Sequence, residues 1–364
     1  MVSIHKKVLV CPLDWGLGHA TRCIPLIRSL LSEDAEVLIA ADGSPLVLLK
    51  EEFPALKFIG LPGYNIRYSK WLSMTVSMLL QSPKIIFNIL LEHRRLKKII
   101  CEHKIDCVIS DNRYGLWNRS VHTIFITHQL SIKCPVGLKF LEPLLYRINH
   151  CFIKKYDECW VPDSAGENNL SGELSHQIRL PHNGMFVGLL SRFDSTIEKT
   201  AEKKYDLLAI ISGPEPHRSL LLHNVLAQLK ELNISSLVVS GEPQKNYDRM
   251  INGNIRLVSH LSSNAMKEAI MQSEVVICRA GYSGIMDLVS LRKKAILIPT
   301  PGQTEQEYLS EYLKQKKIFY AVSQKEFKME AALKETDRFG DFSKISFDKE
   351  YSTAIKGLIR KINE

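Results

Sequence analysis

The chain has 364 residues, of which 45% are hydrophobic and 24% are charged, with 48 Lys and Arg against 39 Asp and Glu. These proportions are ordinary for a globular protein and exclude a disordered or fibrous class. The length favours two domains, because single cores stop growing at about 250–300 residues. The net charge of +9 suits anionic partners such as phosphates or an anionic lipid surface.

The cysteines and the apolar segments indicate where the protein resides. The eight cysteines form no CxxC pair and mostly lie in apolar runs, so we expect them to be reduced and buried in a reducing compartment. The apolar run before Asp14 has only five residues, too short for a signal peptide, and we expect no export. Pro83 and Lys84 interrupt the apolar stretch from Trp71 to Leu91, which argues against a membrane-spanning helix. The sequence thus predicts a cytoplasmic protein.

In chain order, short β-rich runs alternate with helical patterns. The first set is KKVLVCPL, AEVLIAA, LKFIGLP, IDCVISD, TIFITHQ and ECWVPD. From Tyr205 the cycle restarts with YDLLAIISG, SSLVVSG, IRLVSHL, EVVICRAG and KAILIPTP. This alternation is typical of βαβ units around a parallel sheet. We therefore predict an α/β fold with two Rossmann-like, doubly wound domains that face a cleft.

Composition also predicts the boundaries of these domains. Residues 1–185 form the first domain, and an irregular, charge-rich linker follows at 186–204. The second domain covers 205–342, and the amphipathic pattern in 343–364 predicts a closing C-terminal helix. We expect the first domain to bind an acceptor and the second to bind a nucleotide-sugar.

The first strand runs into the loop CPLDWGLGHATR. Gly16 and Gly18 satisfy G-x-G, but Thr21 stands where the dinucleotide fingerprint needs its third glycine. A plain tight turn would explain the glycines alone. His19 strengthens a functional interpretation, because it opens a helix at the carboxyl end of a strand, where open α/β sheets bind ligands. We predict that His19 is a general base.

Two later strands of the first domain also end in polar residues. VISDNRYG places Asp111 at a strand end, and FITHQL places His128 and Gln129 at the next one. Such residues are often only turn formers, but these lie at the same sheet edge as His19. Asp111 could orient His19 or replace it as the base. We assign Arg22, His128 and Gln129 to the acceptor side.

The second domain carries CRAGYSGIMDL at residues 278–288. A helix start after this strand would direct backbone N–H groups and the helix dipole at a diphosphate, and Arg279 would add charge. Asp287, about one turn into the helix, could reach ribose hydroxyls. The loop ISGPEPHR is a second candidate phosphate cradle, and PTPGQTEQEYLSEYL offers polar side chains for the hydroxyls of a sugar. The donor-side residues predicted from this domain are Ser212, Gly213, Arg279, Gly281, Ser283, Gly284, Asp287, Glu305 and Gln306.

The order of these motifs resembles a known family. A glycine loop with histidine, then R-x-G-x-x-x-x-x-[DE], then P-x-x-x-x-x-x-Q is similar to the two-domain GT-B glycosyltransferases of the MurG type, which complete lipid II. The resemblance spans both domains in order, and the stretch 278–309 carries its most specific part. It implies that Gly18 approaches the donor, that His19 faces the acceptor, and that the backbone at His260 and Leu261 meets the uracil.

Two departures from the family pattern bear on the acceptor. The first loop lacks the fuller glycine run of the family, and Asp287 stands where the family normally has Glu. The resemblance therefore implies a relative that acts on an acceptor other than the peptidoglycan precursor.

The predicted function is inverting transfer of a hexose or N-acetylhexosamine from a UDP-sugar to an acceptor hydroxyl, with His19 or Asp111 as base. No D-x-D occurs in the chain, which favours a metal-independent mechanism, and we expect no cofactor. The alternatives are a UDP-sugar 2-epimerase of GT-B fold and a non-catalytic sugar-nucleotide-binding subunit. An NAD oxidoreductase is disfavoured by Thr21. We expect no nucleic-acid partner.

Residues 64–104 indicate where the acceptor resides. This stretch has eight Lys or Arg against two acids, a local excess of six, together with Trp71, Phe87 and many aliphatic residues. A charged helix that covers the core would explain the pattern without a ligand. The alternative is a peripheral contact with anionic lipid on the inner face of the cell membrane, and a lipid-linked acceptor.

Overall fold

The computed structural model describes residues 5–64, 81–193, 202–347 and 349–364. The chain divides into two compact units, Met1–Arg192 with Ser346–Glu364 (unit 1) and Phe193–Ile345 (unit 2). Each unit is built on its own seven-stranded sheet.

The sheet of unit 1 is parallel throughout, with the order β3-β2-β1-β4-β5-β6-β7. Its strands are β1 Lys7–Pro12, β2 Glu36–Ala41, β3 Lys57–Gly60, β4 Cys107–Asp111, β5 His122–Ile126, β6 Glu158–Val161 and β7 Gly184–Phe186. The apolar runs of β1 and β4 are buried because helices cover both faces of a parallel sheet. The strand order reverses between β1 and β4, where Pro12 pairs with Asp111. Open α/β sheets bind ligands at this switch point.

The helices of unit 1 include one from the far end of the chain. They are α1 Leu17–Ser32, α2 Gly43–Glu52, α3 Ser82–His103, α4 Glu142–Ile153 and α10 Glu350–Asn363, and a 3₁₀ helix at Val136–Leu141 precedes α4. In α10 the buried side chains of Tyr351, Ile355 and Leu358 recur with helical spacing, and the helix contacts α1. The predicted C-terminal helix therefore completes unit 1.

Unit 2 repeats the plan with the order β10-β11-β9-β8-β12-β13-β14. Its strands are β8 Tyr205–Ile210, β9 Ser236–Val239, β10 Asp248–Ile251, β11 Ile255–Val258, β12 Ser273–Cys278, β13 Ala295–Leu297 and β14 Tyr320–Ala321. Its helices are α5 His217–Glu231, α6 Ser263–Met271, α7 Tyr282–Ser290, α8 Thr304–Gln315 and α9 Met329–Thr336. All strands pair in parallel except β10, which is antiparallel to β11. The order reverses between β8 and β12.

The predicted α/β class, with two Rossmann-like sheets and a C-terminal helix, is confirmed. Unit 2 begins at Phe193, inside the stretch predicted as a linker. No helix in the described part of the chain is long and apolar enough to cross a membrane. Six cysteines are buried as free thiols, whereas Cys101 on α3 and Cys151 on α4 are exposed, contrary to the prediction of burial.

Candidate active site

The loop between β1 and α1 presents the glycine-histidine motif. Gly16 precedes α1 with φ 111° and ψ 173°, a backbone conformation that favours glycine. Gly18 lies in the first turn, and its carbonyl accepts a hydrogen bond of 2.9 Å from the Thr21 hydroxyl. The side chain of His19 keeps 17% of its surface exposed. The start of α1 thus holds His19 at the carboxyl edge of the sheet of unit 1.

A buried ion pair lies beside His19. Nδ1 of His19 is 3.1 Å from Oδ1 of Asp111, the last residue of β4. Arg22, one turn further along α1, donates from Nε to Oδ2 of Asp111 at 2.7 Å and from Nη2 to Oδ1. Asp111 is 0% and Arg22 1% exposed. The sequence assigned Arg22 to the acceptor side, whereas these hydrogen bonds tie its guanidinium to side chains within unit 1.

The environment of Asp111 separates its role from that of His19. Burial raises the pKa of this carboxyl, but the charges and hydrogen bonds of Arg22 and His19 outweigh burial and lower the pKa to about 2. A carboxylate this acidic, with both oxygens occupied, is a poor proton acceptor near neutral pH. Asp111 is suited to orient the imidazole, and the geometry favours His19 as the base.

His128 and Gln129 follow β5 at the same edge. Nδ1 of the buried His128 lies 3.0 Å from Nη1 of Arg22, so this histidine joins the His19 cluster. The backbone N–H of Gln129 donates to the Thr127 hydroxyl, and its carbonyl accepts from Asn149 Nδ2. The structure therefore brings the side chains of His19, Arg22, Asp111 and His128 together. Gln129 takes part in these hydrogen bonds through its backbone and does not join the cluster.

A second buried ion pair, which sequence reasoning missed, fixes the surrounding loops. Nε of Arg113 donates to Glu92 of α3 at 2.5 Å, and its Nη atoms donate to the carbonyls of Pro12, Leu61 and Pro62. Pro12 ends β1, and Leu61 and Pro62 follow β3, so Arg113 connects the ends of β1, β3 and β4. The signal was an Arg two residues after the end of a buried strand, in VISDNR.

In unit 2, Arg279 follows β12 at the switch point. Its guanidinium donates to four backbone carbonyls, those of Ser212, His217, Ile298 and Pro299. None of its hydrogen bonds to the described residues goes to a carboxylate, although it is only 3% exposed. Burial lowers the pKa of this guanidinium to about 10, so it keeps its charge near neutral pH. Unit 2 thus holds an uncompensated positive charge beneath the loop after β8.

Gly213 and Thr300 lie next to that charge. Gly213 has φ 108°, and a Cβ built on it would be 3.5 Å from Oγ1 of Thr300 and 3.8 Å from Nε of Arg279. Thr300 is fully buried, and its hydroxyl has no hydrogen-bond partner among the described residues. A buried hydroxyl without a partner is costly, so this hydroxyl is a candidate to bind a ligand. Thr300 was not predicted from the sequence, because a Thr after a strand has no distinctive signal.

Helix α7 begins beside this group of residues. Gly281 precedes the helix, and no side chain caps its first turn, which contains Ser283 and Gly284. The backbone N–H groups and the positive end of the helix dipole at such a start suit a phosphate. Asp287, one turn further, is 5% exposed.

The remaining predicted donor residues lie after β11 and at the start of α8. Oε1 of Gln306 accepts from the backbone N–H of Thr300 at 2.9 Å, so Gln306 shapes the Thr300 loop. Glu305 lies in the first turn of α8. Nδ1 of His260 is 2.9 Å from the Ser259 hydroxyl, and Leu261 follows. Within the described ranges, no cluster of three His, Cys, Asp or Glu side chains could hold a metal ion.

Comparison with known proteins shows that this chain is similar to glycosyltransferases. Residues 222–353 match the glycosyltransferase family 28 C-terminal domain. An uncharacterized glycosyltransferase of Methanosarcina mazei is 22% identical over 327 residues, which cover 83% of this chain and 81% of the relative. The transferase of Histophilus somni named UDP-N-acetylglucosamine--N-acetylmuramyl-(pentapeptide) pyrophosphoryl-undecaprenol N-acetylglucosamine transferase is 22% identical over 364 residues, 93% of this chain and 91% of its own.

A solved structure shows the same fold. MurG of Acinetobacter baumannii superimposes with a TM-score of 0.54 at 12% sequence identity, over 99% of both chains. The resemblance to MurG-type enzymes that the sequence predicted is therefore confirmed. The chain is a glycosyltransferase of the GT-B fold, and its residues 222–353 are similar to the family 28 C-terminal domain.

Proposed function

We propose that the protein transfers a hexose or N-acetylhexosamine from a UDP-sugar to an acceptor hydroxyl, with inversion and without a metal ion. The observation that carries the proposal is the His19–Asp111 pair at the switch point of unit 1. Unit 2 by itself supplies a candidate anion site, a buried cation beneath a loop and a helix start. Unit 1 then binds the acceptor, and unit 2 binds the nucleotide-sugar.

The base must have a lone pair that faces the acceptor. If Nδ1 of His19 donates to Asp111, the lone pair is on Nε2, which can take the proton of the acceptor hydroxyl as that oxygen attacks the anomeric carbon. The imidazolium formed in this step is stabilised by the ionised Asp111. A histidine oriented by a carboxylate is a common device for activating hydroxyl nucleophiles.

The leaving group is a nucleoside diphosphate, on which negative charge develops. The fixed charge of Arg279 and the N–H groups at the start of α7 stabilise this charge without rearrangement, because they are held in place before the reaction. The Thr300 hydroxyl is available to donate to the same anion. Asp287, Glu305 and Gln306 bind the ribose and the sugar.

Substitution of His19 tests the assignment. We expect His19→Gln to lower kcat by about 100-fold or more with unchanged UDP affinity by calorimetry, because a general base acts on the transition state. His122→Gln is the matched control, since His122 pairs with Glu158 at 3.1 Å where β5 and β6 begin, at the opposite sheet edge. Full activity of His19→Gln would show that His19 is not the base. Formation of an epimerised UDP-sugar in the absence of an acceptor would show that the protein is an epimerase and not a transferase.

We further propose that the acceptor is attached to a lipid and that unit 1 contacts an anionic membrane surface. Of residues 64–104, the stretch 65–80, with Trp71, lies outside the described residues. In the described part, α3 exposes Ile86, Phe87 and Leu90, and the basic residues Arg94, Arg95, Lys97 and Lys98 on the same helix are also exposed.

A second apolar row supports this surface. Val136, Phe140, Leu144 and Ile148 recur every four residues along the 3₁₀ helix and α4, and all are exposed. Helices α3 and α4 pack on one cluster around Leu13 and Trp15. Helix α3 contributes Ile85 and Ile89 to this cluster, and α4 contributes Phe152. The exposed apolar residues thus lie on helices that support the loop carrying His19.

Co-sedimentation with vesicles tests this part of the proposal. Binding to vesicles with anionic lipid should fall with salt and with Arg94, Arg95, Lys97 and Lys98 changed to Glu, since each cation contributes about 1 kcal/mol near such a surface. Changing the exposed Lys230, Lys316, Lys325 and Lys328 of unit 2 to Glu alters the net charge by the same amount and should leave binding intact. No sedimentation of the wild type at low salt would favour a soluble acceptor.

A further inference from the structure

Three polar side-chain atoms at the carboxyl edge of the sheet of unit 1 are buried and have no hydrogen-bond partner in the described part of the chain. They are Oδ1 of Asp14, Nε1 of Trp15 and Oδ1 of Asn112. Asp14 and Trp15 lie in the loop between β1 and α1, and Asn112 directly follows β4. Buried polar atoms in native proteins nearly always have a partner, so three exceptions at one sheet edge require an explanation.

The side chain of Arg113 holds together the segments that carry these atoms. Its Nη atoms donate to the carbonyl of Pro12 at the end of β1 and to that of Pro62 after β3. Asp14 lies two residues beyond Pro12, and Asn112 directly precedes Arg113. The unpartnered atoms are therefore held at neighbouring strand ends before a ligand arrives, which lowers the cost of ordering a binding site.

The indole of Trp15 is anchored at the same edge by aromatic rings. It packs edge-on against Tyr64, with the ring centroids 6.2 Å apart, and belongs to one cluster with Tyr114. The hydroxyl of Tyr64 accepts from the backbone N–H of Tyr114 at 3.0 Å, and Tyr114 lies two residues beyond Asn112. These contacts fix the loops after β1, β3 and β4 against one another.

Gly63 gives the carboxylate of Asp14 its place. A Cβ built on Gly63 would overlap both oxygens and Cγ of Asp14, so the carboxylate occupies space that any other residue at position 63 would fill. The clash would be with the end of a side chain and not with backbone. A larger residue at position 63 would therefore move the carboxylate and leave the strands in place.

The chemistry of the three atoms selects the ligand. A carboxylate oxygen and an amide oxygen only accept hydrogen bonds, and an indole N–H only donates. A hydroxyl group does both, so the hydroxyls of a sugar can donate to Asp14 and Asn112 and accept from Trp15. An ammonium or guanidinium group would leave the indole N–H without an acceptor, and a phosphate would be repelled by the carboxylate. The three atoms therefore suit a neutral sugar.

We propose that Asp14, Trp15 and Asn112 bind a neutral sugar of the acceptor through its hydroxyl groups. The site itself follows from the unpartnered atoms, and the inference rests on the proposed function only in naming this sugar as the acceptor. Trp15 precedes His19 by four residues, so the sugar binds in the unit that carries the proposed base. A phosphate or other anionic group of the acceptor has to lie away from Asp14.

The indole N–H of Trp15 reports binding without any assay of transfer. ¹H–¹⁵N spectra of the full chain, with the signal assigned by Trp15→Phe, are recorded with methyl glycosides of hexoses and N-acetylhexosamines at millimolar concentrations. The Trp15 signal should shift with at least one glycoside, but not with sodium phosphate or methylguanidinium chloride. A signal that no glycoside shifts, or that either salt shifts, would overturn the inference. A wild type that binds a glycoside at Trp15 but transfers no sugar would remove the proposed function and leave the site standing.

Asp14→Asn separates binding from a structural role. Affinity for the glycoside should fall by about tenfold or more, because hydrogen bonds to charged groups are the stronger ones, while the free energy of unfolding should stay the same or rise. Asp42→Asn is the matched control, since Asp42 follows β2 at the same edge, is exposed, and already accepts from the backbone N–H of Gly43 at 2.8 Å. Unchanged glycoside affinity in Asp14→Asn would contradict the proposal, as would equal losses in the two variants.

Gly63→Ala tests the position of the carboxylate while Asp14 is kept. The added methyl group must displace the carboxylate, so glycoside affinity should fall as it does in Asp14→Asn. Gly60→Ala is the control, because Gly60 ends β3 and a Cβ there would meet nothing within 4 Å. Equal glycoside affinity of these two variants would show that the carboxylate beside Gly63 does not bind the sugar.

Discussion

At the scale of single residues, ionisation of the Asp111 carboxylate in the candidate active site also affects the free energy of unfolding. Its pKa is lowered to about 2 in the folded chain, so its ionised form stabilises the fold above the unfolded value near 3.9 and loses this effect as the pH falls toward 2. Asp111→Asn lacks this contribution at every pH. The difference in unfolding free energy between wild type and Asp111→Asn should therefore shrink by about 2 kcal/mol between pH 6 and pH 2.

Urea unfolding at several pH values measures that difference. Asp163→Asn provides the control, because Asp163 is equally buried but accepts from Ser171 and the backbone of Leu170, without an arginine. A difference for Asp111→Asn that stays constant over this pH range would show that Arg22 does not hold the carboxylate ionised.

The Thr300 hydroxyl gives a second prediction at this scale. Thr300→Val keeps the shape and removes an unpartnered buried hydroxyl, so stability should stay the same or rise. Affinity for a UDP-sugar should fall by about tenfold or more, since a hydrogen bond to a charged group contributes about 1.5–3 kcal/mol. Ser310→Ala on α8 is the matched control, because the Ser310 hydroxyl is also buried with no hydrogen-bond partner in the described part of the chain. Calorimetry that finds equal affinity in both variants would remove Thr300 from the donor site.

At the scale of elements, the turn after β9 supports the loop after β8. A Cβ on Gly241 would lie 2.2 Å from the carbonyl oxygen of Ile211, which directly precedes Ser212 and Gly213. Gly241→Ala must therefore displace this loop, at the cost in stability of about 1–3 kcal/mol that is typical of overpacking, and we expect donor affinity to fall because the displaced loop carries Ser212 and Gly213.

Gly253→Ala is the control that separates the steric clash at Gly241 from the backbone strain that both substitutions cause. Gly253 has φ 71° and Gly241 has φ 70°, so both substitutions strain the backbone alike, but a Cβ at Gly253 meets nothing within 4 Å. Thermal melts should show a loss of stability from backbone strain in both variants, with a further loss in Gly241→Ala from the clash with Ile211, and only Gly241→Ala should weaken binding of a UDP-sugar. Equal binding by the two variants would mean that the β8 loop does not contact the donor.

The elements also show what the sequence could predict. Central strands such as β1 and β12 are buried on both faces, so they read as continuous apolar runs and were predicted. Three of the four edge strands, β7, β10 and β14, were missed, because short strands that pair on one side only give a weak sequence pattern; the fourth, β3, was predicted from the run LKFIGLP. Chain order indicated which strand ends share an edge, and so placed His19 with Asp111.

Side-chain partners could not be predicted in the same way. From the sequence, Arg22 and Arg279 were expected to bind ligands through exposed charges, yet both are buried in the structure. Their hydrogen bonds join residues separated by 89 positions in one case and 67 in the other, which no local pattern encodes. Burial of a charge depends on such long-range partners, and these become visible only in the folded chain.

At the scale of the whole molecule, the order of segments along the chain does not match the unit to which each segment belongs. Helix α10 follows unit 2 in the sequence but belongs to unit 1, where Ile355 and Leu358 are buried. Changing both to Ala should destabilise unit 1, because each such truncation in a core costs about 2–5 kcal/mol. Hydrogen exchange should then accelerate in α1, which α10 contacts, and remain slow in β8 and β12 of unit 2.

Thr353→Ala on the exposed face of α10 is the control and should leave exchange unchanged in both units. UDP-sugar affinity of the Ile355→Ala, Leu358→Ala double variant should match that of the wild type, while its turnover should fall at temperatures where unit 1 opens. This combination follows because the donor residues lie in unit 2 and the His19 cluster lies in unit 1. Faster exchange in β8 and β12 to the same extent as in α1 would instead show that the two units unfold together, and that α10 stabilises both.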